Sequence, residues 1–274
     1  MNKLSKLFKK KLKPFIIGMI HLGPMSGYAG YPGLDRLKEK MSADLEALEK
    51  GGVDGVMIEN NYDVPHYEKV LMSTIQDFEY LCELLREKTK LPLGISLLWN
   101  DYENALRIAK KYNFQFVRVP VFVDRVKTEY GVFEPKAKEC LEYRKQIAAD
   151  EVLILADIQV KHAEHLIKRP IAEAAAEAEE KGADALIVTG KWTGDAPTVQ
   201  DVSEVKSVAG ELPVLLGSGI TPDNVHDYDV DGVIVGTYFK SEVNRGQHEQ
   251  NLFPWETSYE LEKIMKLVQA RGKL

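Results

Sequence analysis

Four ionisable side chains stand inside or directly after short apolar runs of the chain, and a lysine follows four residues after the last of them. They are His21, Glu59, Arg118, Asp157 and Lys161. A carboxylate that continues an apolar run must be paired or must serve a site, because an isolated buried charge is costly. We therefore predict acid–base chemistry, with Asp157 and Glu59 as the acid and the base. Lys161 is the predicted electrophilic or anion-binding partner, with Arg118 and His21 in support.

Each of these residues also has a structural interpretation, which the sequence leaves open. Arg118 inside an apolar run needs an anionic partner, and Asp157 or Glu59 would serve as well as a ligand. Lys161 could lie at the surface, and His21 could simply hydrogen-bond the rim. Glu59 and Asp157 are also the candidate ligands of a divalent metal ion, since hard cations prefer carboxylate oxygens. Their spacing does not require a metal.

Two glycine turns near the C-terminus indicate a phosphate site. Each follows an apolar run, and glycine leaves backbone N–H groups unshielded, which suits a dianion. Thr221 followed by Pro222 predicts a helix N-terminus beside them, and its positive end would favour the same ligand. Polar residues after other apolar runs extend this set. The predicted anion contacts are Gly217, Ser218, Gly219, Gly236, Thr237, Thr189, Gly190 and Asn60.

These residues follow eight short apolar runs, and each run precedes a helical pattern. Three joints before a run are similar, EKGGVDGVMIE, EKGADALIVTG and DYDVDGVIVGT. Alternating strands and helices predict a parallel sheet with right-handed crossovers, and eight units predict a closed (β/α)8 TIM barrel of the α/β class. An open doubly wound sheet is less favoured, because no G-x-G-x-x-G turn follows the first run. The runs are residues 15–20, 55–58, 93–98, 116–119, 152–156, 185–188, 213–216 and 232–235.

Composition limits the class of protein. The 274 residues, 45% hydrophobic and 28% charged, suit one barrel of about 250 residues. No apolar run reaches the roughly 18 residues that a membrane span needs. Cys82 and Cys140 are far apart, so a disulfide framework is not indicated and a reducing cytoplasm is the expected location. The net charge of −6 argues against nucleic acid as a partner. We expect a homo-oligomer.

Residues 1–13 differ from the rest and are assigned as a basic amphipathic segment before a barrel domain of residues 14–274. The segment holds six lysines and no acid, and Leu4, Leu7, Phe8 and Leu12 recur at helical spacing. Two interpretations stay open. The segment closes the bottom of the barrel, or it makes weak peripheral contact with an anionic membrane.

Several motifs, taken in order from Phe15 to the last helix, resemble the BtpA family, also called the SgcQ or photosystem I biogenesis family. They are IIGMIHLGPMSGY, EKGGVDGVMIENNYDVP, LADIQVKHAEHL, DALIVTGKWTGDAP, VLLGSGITPDNV and DGVIVGTYFK. The resemblance implies a TIM barrel related to ribulose-phosphate-binding barrels, with phosphate on the loops after the seventh and eighth strands. It also implies a role in photosystem I accumulation in cyanobacteria, although relatives occur in organisms without photosynthesis.

From residues and resemblance together, we expect a barrel that binds a small phosphorylated metabolite, derived from a sugar or a nucleotide. Lyase, isomerase or epimerase chemistry by acid–base catalysis is the favoured activity. A metal-assisted hydrolase that uses the same carboxylates is the first alternative. A non-catalytic assembly factor of the photosystem I biogenesis type is the second.

Overall fold

Eight parallel strands close into one barrel, as predicted. The computed structural model describes residues 3–8, 12–240 and 251–271. Each strand pairs with the next one along the chain, and the eighth pairs with the first. The strands are β1 Phe15–His21, β2 Gly55–Glu59, β3 Leu93–Ser96, β4 Phe116–Val119, β5 Leu153–Ile158, β6 Ala185–Val188, β7 Val214–Leu216 and β8 Gly232–Val235.

Helices cover the outside of the barrel, and an α-helix follows each of the first six strands. A short N-terminal helix precedes β1, and a last helix follows β8. None of the helices in the described ranges has both the length and the apolar content to cross a bilayer. The helices are α1 Lys3–Leu7, α2 Leu34–Gly51, α3 Met72–Lys88, α4 Tyr102–Lys111, α5 Ala137–Gln146, α6 Ile171–Glu180, α7 Val199–Val208 and α8 Leu261–Ala270.

The similar joints in the sequence have one structural cause. The aspartate before a strand accepts a hydrogen bond from a backbone N–H of the preceding strand, which fixes the register of the two strands. The three bonds run from Ile16 N to Asp54 (2.8 Å), from Ile154 N to Asp184 (2.9 Å) and from Val214 N to Asp231 (3.0 Å). Gln115 does the same between β3 and β4, where its Oε1 accepts from Leu93 N at 2.8 Å. The barrel is thus built from four strand pairs that are held alike.

Side-chain alternation along the strands produces two hydrophobic layers. Ile16 and Ile20 belong to the large core between barrel and helices, whereas Ile17 and Met19 belong to the core inside the barrel. The N-terminal segment closes the lower end of this inner core. Leu4 and Phe8 are buried there, and the Phe8 ring stacks on Phe15 with centroids 4.1 Å apart. A membrane contact through residues 1–13 stays a prediction.

Two local predictions are wrong. No α-helix begins at Thr221-Pro222. The chain turns instead, with Asn224 Oδ1 accepting from Thr221 N at 2.9 Å, and a 3-10 helix spans only Val225–Asp227. The spacing of Asn100 and Glu103 in the sequence predicts a capping box with Asn100 as the N-cap of α4, but the side chain that caps this helix is Asp101, which accepts from Asn104 N at 3.2 Å.

The loops after β4 and β5 contain structure that periodicity did not indicate. They form a three-stranded antiparallel sheet from Val126–Thr128, Gly131–Phe133 and Glu164–His165. Strands of two or three residues are too short to show an alternating pattern. This sheet covers a small separate hydrophobic cluster that includes Trp99 and Val160.

Candidate active site

Polar side chains occupy the inward-facing positions at the carboxyl ends of the strands. The alternation that turns Ile17 and Met19 into the barrel also turns in His21, two residues further along β1. On the other strands, the residue two positions after one buried inside the barrel also faces inward. These residues are Glu59 on β2, Arg118 on β4 and Asp157 on β5. The two glycine turns complete the ring after β7 and β8. Chain alternation therefore brings most of the predicted residues to one end of the barrel.

Glu59 lies at the centre of this group and is only 5% exposed. Its Oε1 accepts a hydrogen bond from Ser96 Oγ at 2.8 Å and lies 3.8 Å from Arg118 Nη1. Its Oε2 lies 3.6 Å from His21 Nε2. A carboxylate held between a hydroxyl, a guanidinium and an imidazole is oriented and keeps one oxygen directed at a proton-carrying ring.

The surroundings of His21 favour the neutral form of its imidazole. Burial is the largest cause that lowers the pKa of its imidazole well below 6.5, and Lys240, Lys161, Lys40 and Arg118 lower it further. The contact with Glu59 is therefore between a carboxylate and a neutral ring. The His21 Nδ1 atom is buried and has no hydrogen-bond partner among the described residues. A neutral imidazole next to a carboxylate is suited to proton transfer.

Asp157 is placed differently from Glu59. Its side chain is fully buried and accepts two hydrogen bonds from Arg118, at 2.7 Å from Nε and 2.8 Å from Nη2. Burial is the largest single effect and lowers the pKa of the Arg118 guanidinium. The negative charges of Asp157 and Glu59 together have a larger effect, so the pKa is raised. Arg118 lines the cavity and Asp157 stands behind it. The expectation that both carboxylates face the cavity is therefore wrong for Asp157.

The same arrangement bears on the metal candidates. The guanidinium of Arg118 lies between Glu59 and Asp157, so a divalent ion bridging these two carboxylates would meet a fixed positive charge. Across the described residues, no group of three or more histidine, cysteine, aspartate or glutamate side chains has the arrangement of a metal site. Glu59 and Asp157 therefore do not fit a metal bound between them.

The two glycine turns line the cavity directly above these side chains. A Cβ atom placed on Gly217 would lie 3.6 Å from Arg118 Nη2, and one placed on Gly236 would lie 2.5 Å from His21 Cε1. The backbone at Gly236 thus approaches His21 more closely than a residue with a Cβ would allow, whereas a Cβ at Gly217 would be in ordinary contact with Arg118 and would be too close to Ile187 and Thr189. Thr237 also lines the cavity and begins a 3-10 helix, Thr237–Phe239, whose first N–H groups have no partner within the helix.

Ser218 and Gly219 connect this turn to the loop after β6. Ser218 Oγ donates to Asp195 O at 2.7 Å and accepts from Gly190 N at 2.8 Å, so its hydroxyl is used within the protein. Gly219 has a φ of +69°, and a Cβ there would lie 2.1 Å from Ala196 N. An anion contact from Ser218 would therefore come from its backbone N–H.

Lys161 reaches the cavity from the loop after β5. The flanking residues Gln159 and His162 have left-handed φ values of 52° and 59°, which turn the chain back over the barrel. Burial is the main cause that lowers the pKa of Lys161 to about 8, with Arg118 next, while Glu59, Asp157 and Asp195 oppose the shift. Within the described ranges, no carboxylate lies within ion-pair distance of its Nζ. Lys161 is thus a half-buried amine that is still mostly cationic at pH 7.

Three predicted anion contacts do not line the cavity. Asn60 is fully buried, and its amide bonds both the N–H and the carbonyl of Leu98. Gly190 donates its N–H to Ser218, as described above, and a Cβ there would lie 2.4 Å from Asp195 O. Thr189 is adjacent to it, and its Oγ1 is buried without a partner in the described chain. These residues build the loops that carry the site.

The structure adds residues that sequence reasoning did not single out. The cavity is open to solvent, and about 1060 Å³ of space lies within it and its mouth together. Trp99 forms part of its wall, and Tyr62 and Phe253 meet at its edge, where Tyr62 Oη donates to Phe253 O at 2.6 Å. Lys240, three residues beyond Thr237, also lines it. A lysine directly after an apolar Tyr-Phe pair was the only signal for it.

Solved structures with the same fold include several barrel enzymes. The tryptophan synthase alpha-subunit of Pyrococcus furiosus superposes with a TM-score of 0.59 at 13% identity, covering 94% of this chain and 99% of that one. The phosphoribosyl anthranilate isomerase of Thermus thermophilus superposes with a TM-score of 0.56 at 13% identity, covering 94% and 98%. At such identities the likeness concerns the fold alone.

Sequence relatives define the family. The model of the BtpA family matches residues 11–251. An uncharacterised protein of Pyrococcus horikoshii is 34% identical over 92% of this chain and 95% of its own length. The photosystem I biogenesis protein BtpA of Synechocystis is 34% identical over 84% of this chain and 81% of its own. The chain therefore belongs to the BtpA family.

Proposed function

We propose that this barrel is an enzyme that binds a small phosphorylated metabolite and moves a proton on it, as an isomerase, epimerase or lyase. The observation that carries the proposal is that Glu59 and His21 open onto the same cavity as the two glycine turns. A phosphate held by the turns places the rest of a small sugar over the carboxylate. Binding and chemistry then share one enclosed space.

The phosphate would rest on backbone N–H groups of the turns at Ser218 and Thr237. In barrels of this type, the loops after the seventh and eighth strands are the usual phosphate site. Arg118 lies beside Gly217, and Lys161 lines the same cavity, so both cations can balance the charge of a dianion. The predicted helix at Thr221 does not form, so the 3-10 turn at Thr237 takes its place in this proposal.

Proton transfer would use Glu59 as the base. Its carboxylate takes a proton from a carbon next to the substrate's carbonyl group, and the electron pair moves onto the carbonyl oxygen. The positive Lys161 stabilises that oxygen, because the cavity is partly shielded from water. Glu59, directly or through the neutral His21, returns the proton to a neighbouring atom in an isomerase. Asp157 acts as a positioning residue that holds Arg118.

The comparisons support this choice at the level of the fold. A barrel superposable on this one carries the N-(5'-phosphoribosyl)anthranilate isomerase of Pyrococcus furiosus, with a TM-score of 0.54 and 12% identity. That enzyme's name describes an isomerase of a phosphorylated sugar derivative. A metal-assisted hydrolase is less well supported, because Arg118 stands where a bridging metal would bind.

An assembly function of the kind named for the Synechocystis relative would need no acid–base pair.

The test of the proposed function is a thermal-shift screen of the full chain against phosphorylated sugars and nucleotides, with and without Mg²⁺. We expect at least one phosphate ester to raise Tm at millimolar concentration, and its non-phosphorylated counterpart to leave Tm unchanged. If none of the phosphate esters in the panel raises Tm, the result contradicts the proposal and favours the assembly function.

A further inference from the structure

Lys240 is a buried cation at the edge of the proposed active site. It is 4% exposed and lines the cavity. Its backbone is fixed from two sides, by a bridge to Tyr259 and by Lys263 Nζ, which donates to its carbonyl at 2.8 Å. A lysine held this firmly is placed by the fold, since most lysines extend into water.

Among residues 3–8, 12–240 and 251–271, the ammonium group of Lys240 has one hydrogen-bond partner. Its Nζ donates to Tyr62 Oη at 3.2 Å and lies 5.4 Å from the centre of the Tyr62 ring. Tyr62 uses its own proton on Phe253 O, so its oxygen is free to accept. A lysine has three donors, and Tyr62 takes one of them. In the described part of the chain, no carboxylate lies within ion-pair distance of Lys240.

The nearest acids are already used. Asp44 is bound by Lys40, with Nζ 2.5 Å from its carboxylate, and Glu59 is held by Ser96 and Arg118. Since Arg118 is balanced by Asp157, the described residues that line the cavity include two further cations, Lys161 and Lys240, and one carboxylate, that of Glu59. Buried charges without partners are costly, so such a surplus is suited to an anionic ligand.

We propose that Lys240 and Tyr62 form a second anion-binding subsite, and that the substrate carries another acidic group in addition to its phosphate. The inference rests on the proposed function and specifies its substrate class. The second group is a carboxylate or a second phosphate, and both accept the two remaining donors of Lys240.

The position of Lys240 agrees with a substrate that spans the barrel mouth. Lys161 and Lys240 line the same cavity as His21, and after burial, the largest cause, their positive charges lower the pKa of that imidazole. Lys161 comes from the loop after β5 and Lys240 from the loop after β8. A ligand held by both places its middle atoms over Glu59 and His21. Burial, followed by Lys40, lowers the pKa of Lys240 to about 8, which leaves it mostly cationic at pH 7.

The test compares matched ligands that differ in one acidic group. Glucose 6-phosphate is compared with 6-phosphogluconate, and fructose 6-phosphate with fructose 1,6-bisphosphate, by calorimetric titration of the full chain at pH 7. We expect the doubly acidic member of at least one pair to bind about tenfold more tightly, as a charge-assisted hydrogen bond implies. The pair that shows the difference identifies the second group as carboxylate or phosphate.

Lys240→Met should remove that difference and leave the affinity for the single phosphate unchanged. The matched control is Lys50→Met, which makes the same change of charge at a side chain that is 62% exposed and paired with Glu46. It should preserve the difference. Because no carboxylate of the described residues lies within ion-pair distance of Lys240, Lys240→Met should keep or raise the Tm of the free protein, whereas a structural lysine would lower it.

Three results would overturn the inference, and they are distinguishable. Equal affinity within both pairs, or an unchanged difference in Lys240→Met, removes the second subsite and leaves the proposed function intact. A Tm lowered by several degrees in Lys240→Met shows a structural role for the lysine. Absence of binding by all four compounds counts against both the second subsite and the proposed function.

Discussion

Arg118 and Asp157 form a bidentate ion pair inside the barrel, with Nε 2.7 Å from Oδ2 and Nη2 2.8 Å from Oδ1. Because Asp157 is fully buried, it cannot reach a ligand without releasing the guanidinium. Arg118 faces the cavity on its other side, where it lies near Glu59 and Gly217. The pair thus places a fixed positive charge next to the proposed base and phosphate site.

Asp157→Asn should destabilise the protein by roughly 3–5 kcal/mol, because it removes the bidentate partner of the buried Arg118 and leaves only Glu59, 3.8 Å from Nη1. The measurement is urea unfolding followed by circular dichroism. Adding Arg118→Met to this variant should recover most of the loss, since the buried guanidinium is then gone. A fully stable Asp157→Asn protein that has lost its activity would instead identify Asp157 as the acid or base itself.

Glu59→Gln should remove turnover and keep ligand binding. The amide oxygen can still accept from Ser96, so the fold is retained, but the base is lost and the rate should fall about 10²–10⁴-fold. Affinity for the phosphate ester that stabilises the wild type should stay equal or increase, because one negative charge leaves the cavity. Ser96→Ala is the control and should lower the rate far less. Near-normal turnover in Glu59→Gln would rule out Glu59 as the base.

Binding of a phosphate ester should weaken as pH rises through about 8, the pKa to which burial and Arg118 lower Lys161. The cationic form of Lys161 attracts the anion and exists below that pKa, so affinity is highest on the acidic side and is lost on the alkaline side. Lys161→Arg should abolish this loss, because arginine does not titrate in this range. Calorimetric titration from pH 6.5 to 9.5 measures both proteins. If the affinity of Lys161→Arg falls with pH in the same way as that of the wild type, a group other than Lys161 is responsible for the titration.

Gly219→Ala should destabilise the protein by more than the cost of placing alanine in a left-handed backbone conformation. Gly219 has a φ of +69°, and the added Cβ would lie 2.1 Å from backbone at Ala196. Gly52→Ala is the matched control, since Gly52 has a φ of +85° and a ψ of +32° in the left-handed region, and the added Cβ would lie at an ordinary contact distance of 3.6 Å from Val268 Cγ1. The control should cost about 1–2 kcal/mol, and Gly219→Ala should cost more. If urea unfolding shows the same loss of stability in Gly219→Ala and in the control, the loops after β6 and β7 can move apart to accommodate the added methyl group.

Much of this architecture could be predicted from local sequence. The eight strands were located because short apolar runs alternate with helical patterns, and both patterns are set by neighbours in the chain. The repeated joints were visible as well, and the structure explains them through Asp54, Asp184 and Asp231, which each hold a preceding strand. Residues directly after a strand reach the barrel mouth in any closed barrel, so His21, Glu59 and the glycine turns were found in this way.

Only the tertiary structure decided how these residues are paired. Arg118 and Asp157 are 39 positions apart and meet because β4 and β5 are neighbours at a particular register. Lys240 reaches Tyr62 across 178 positions, after the barrel has closed between its last and first strands. Periodicity reports which face a residue takes, whereas contacts between distant strands depend on register, on closure and on burial. The sequence therefore determined which end of the barrel holds the site, and the packing of the closed barrel determined which side chains are left free to act.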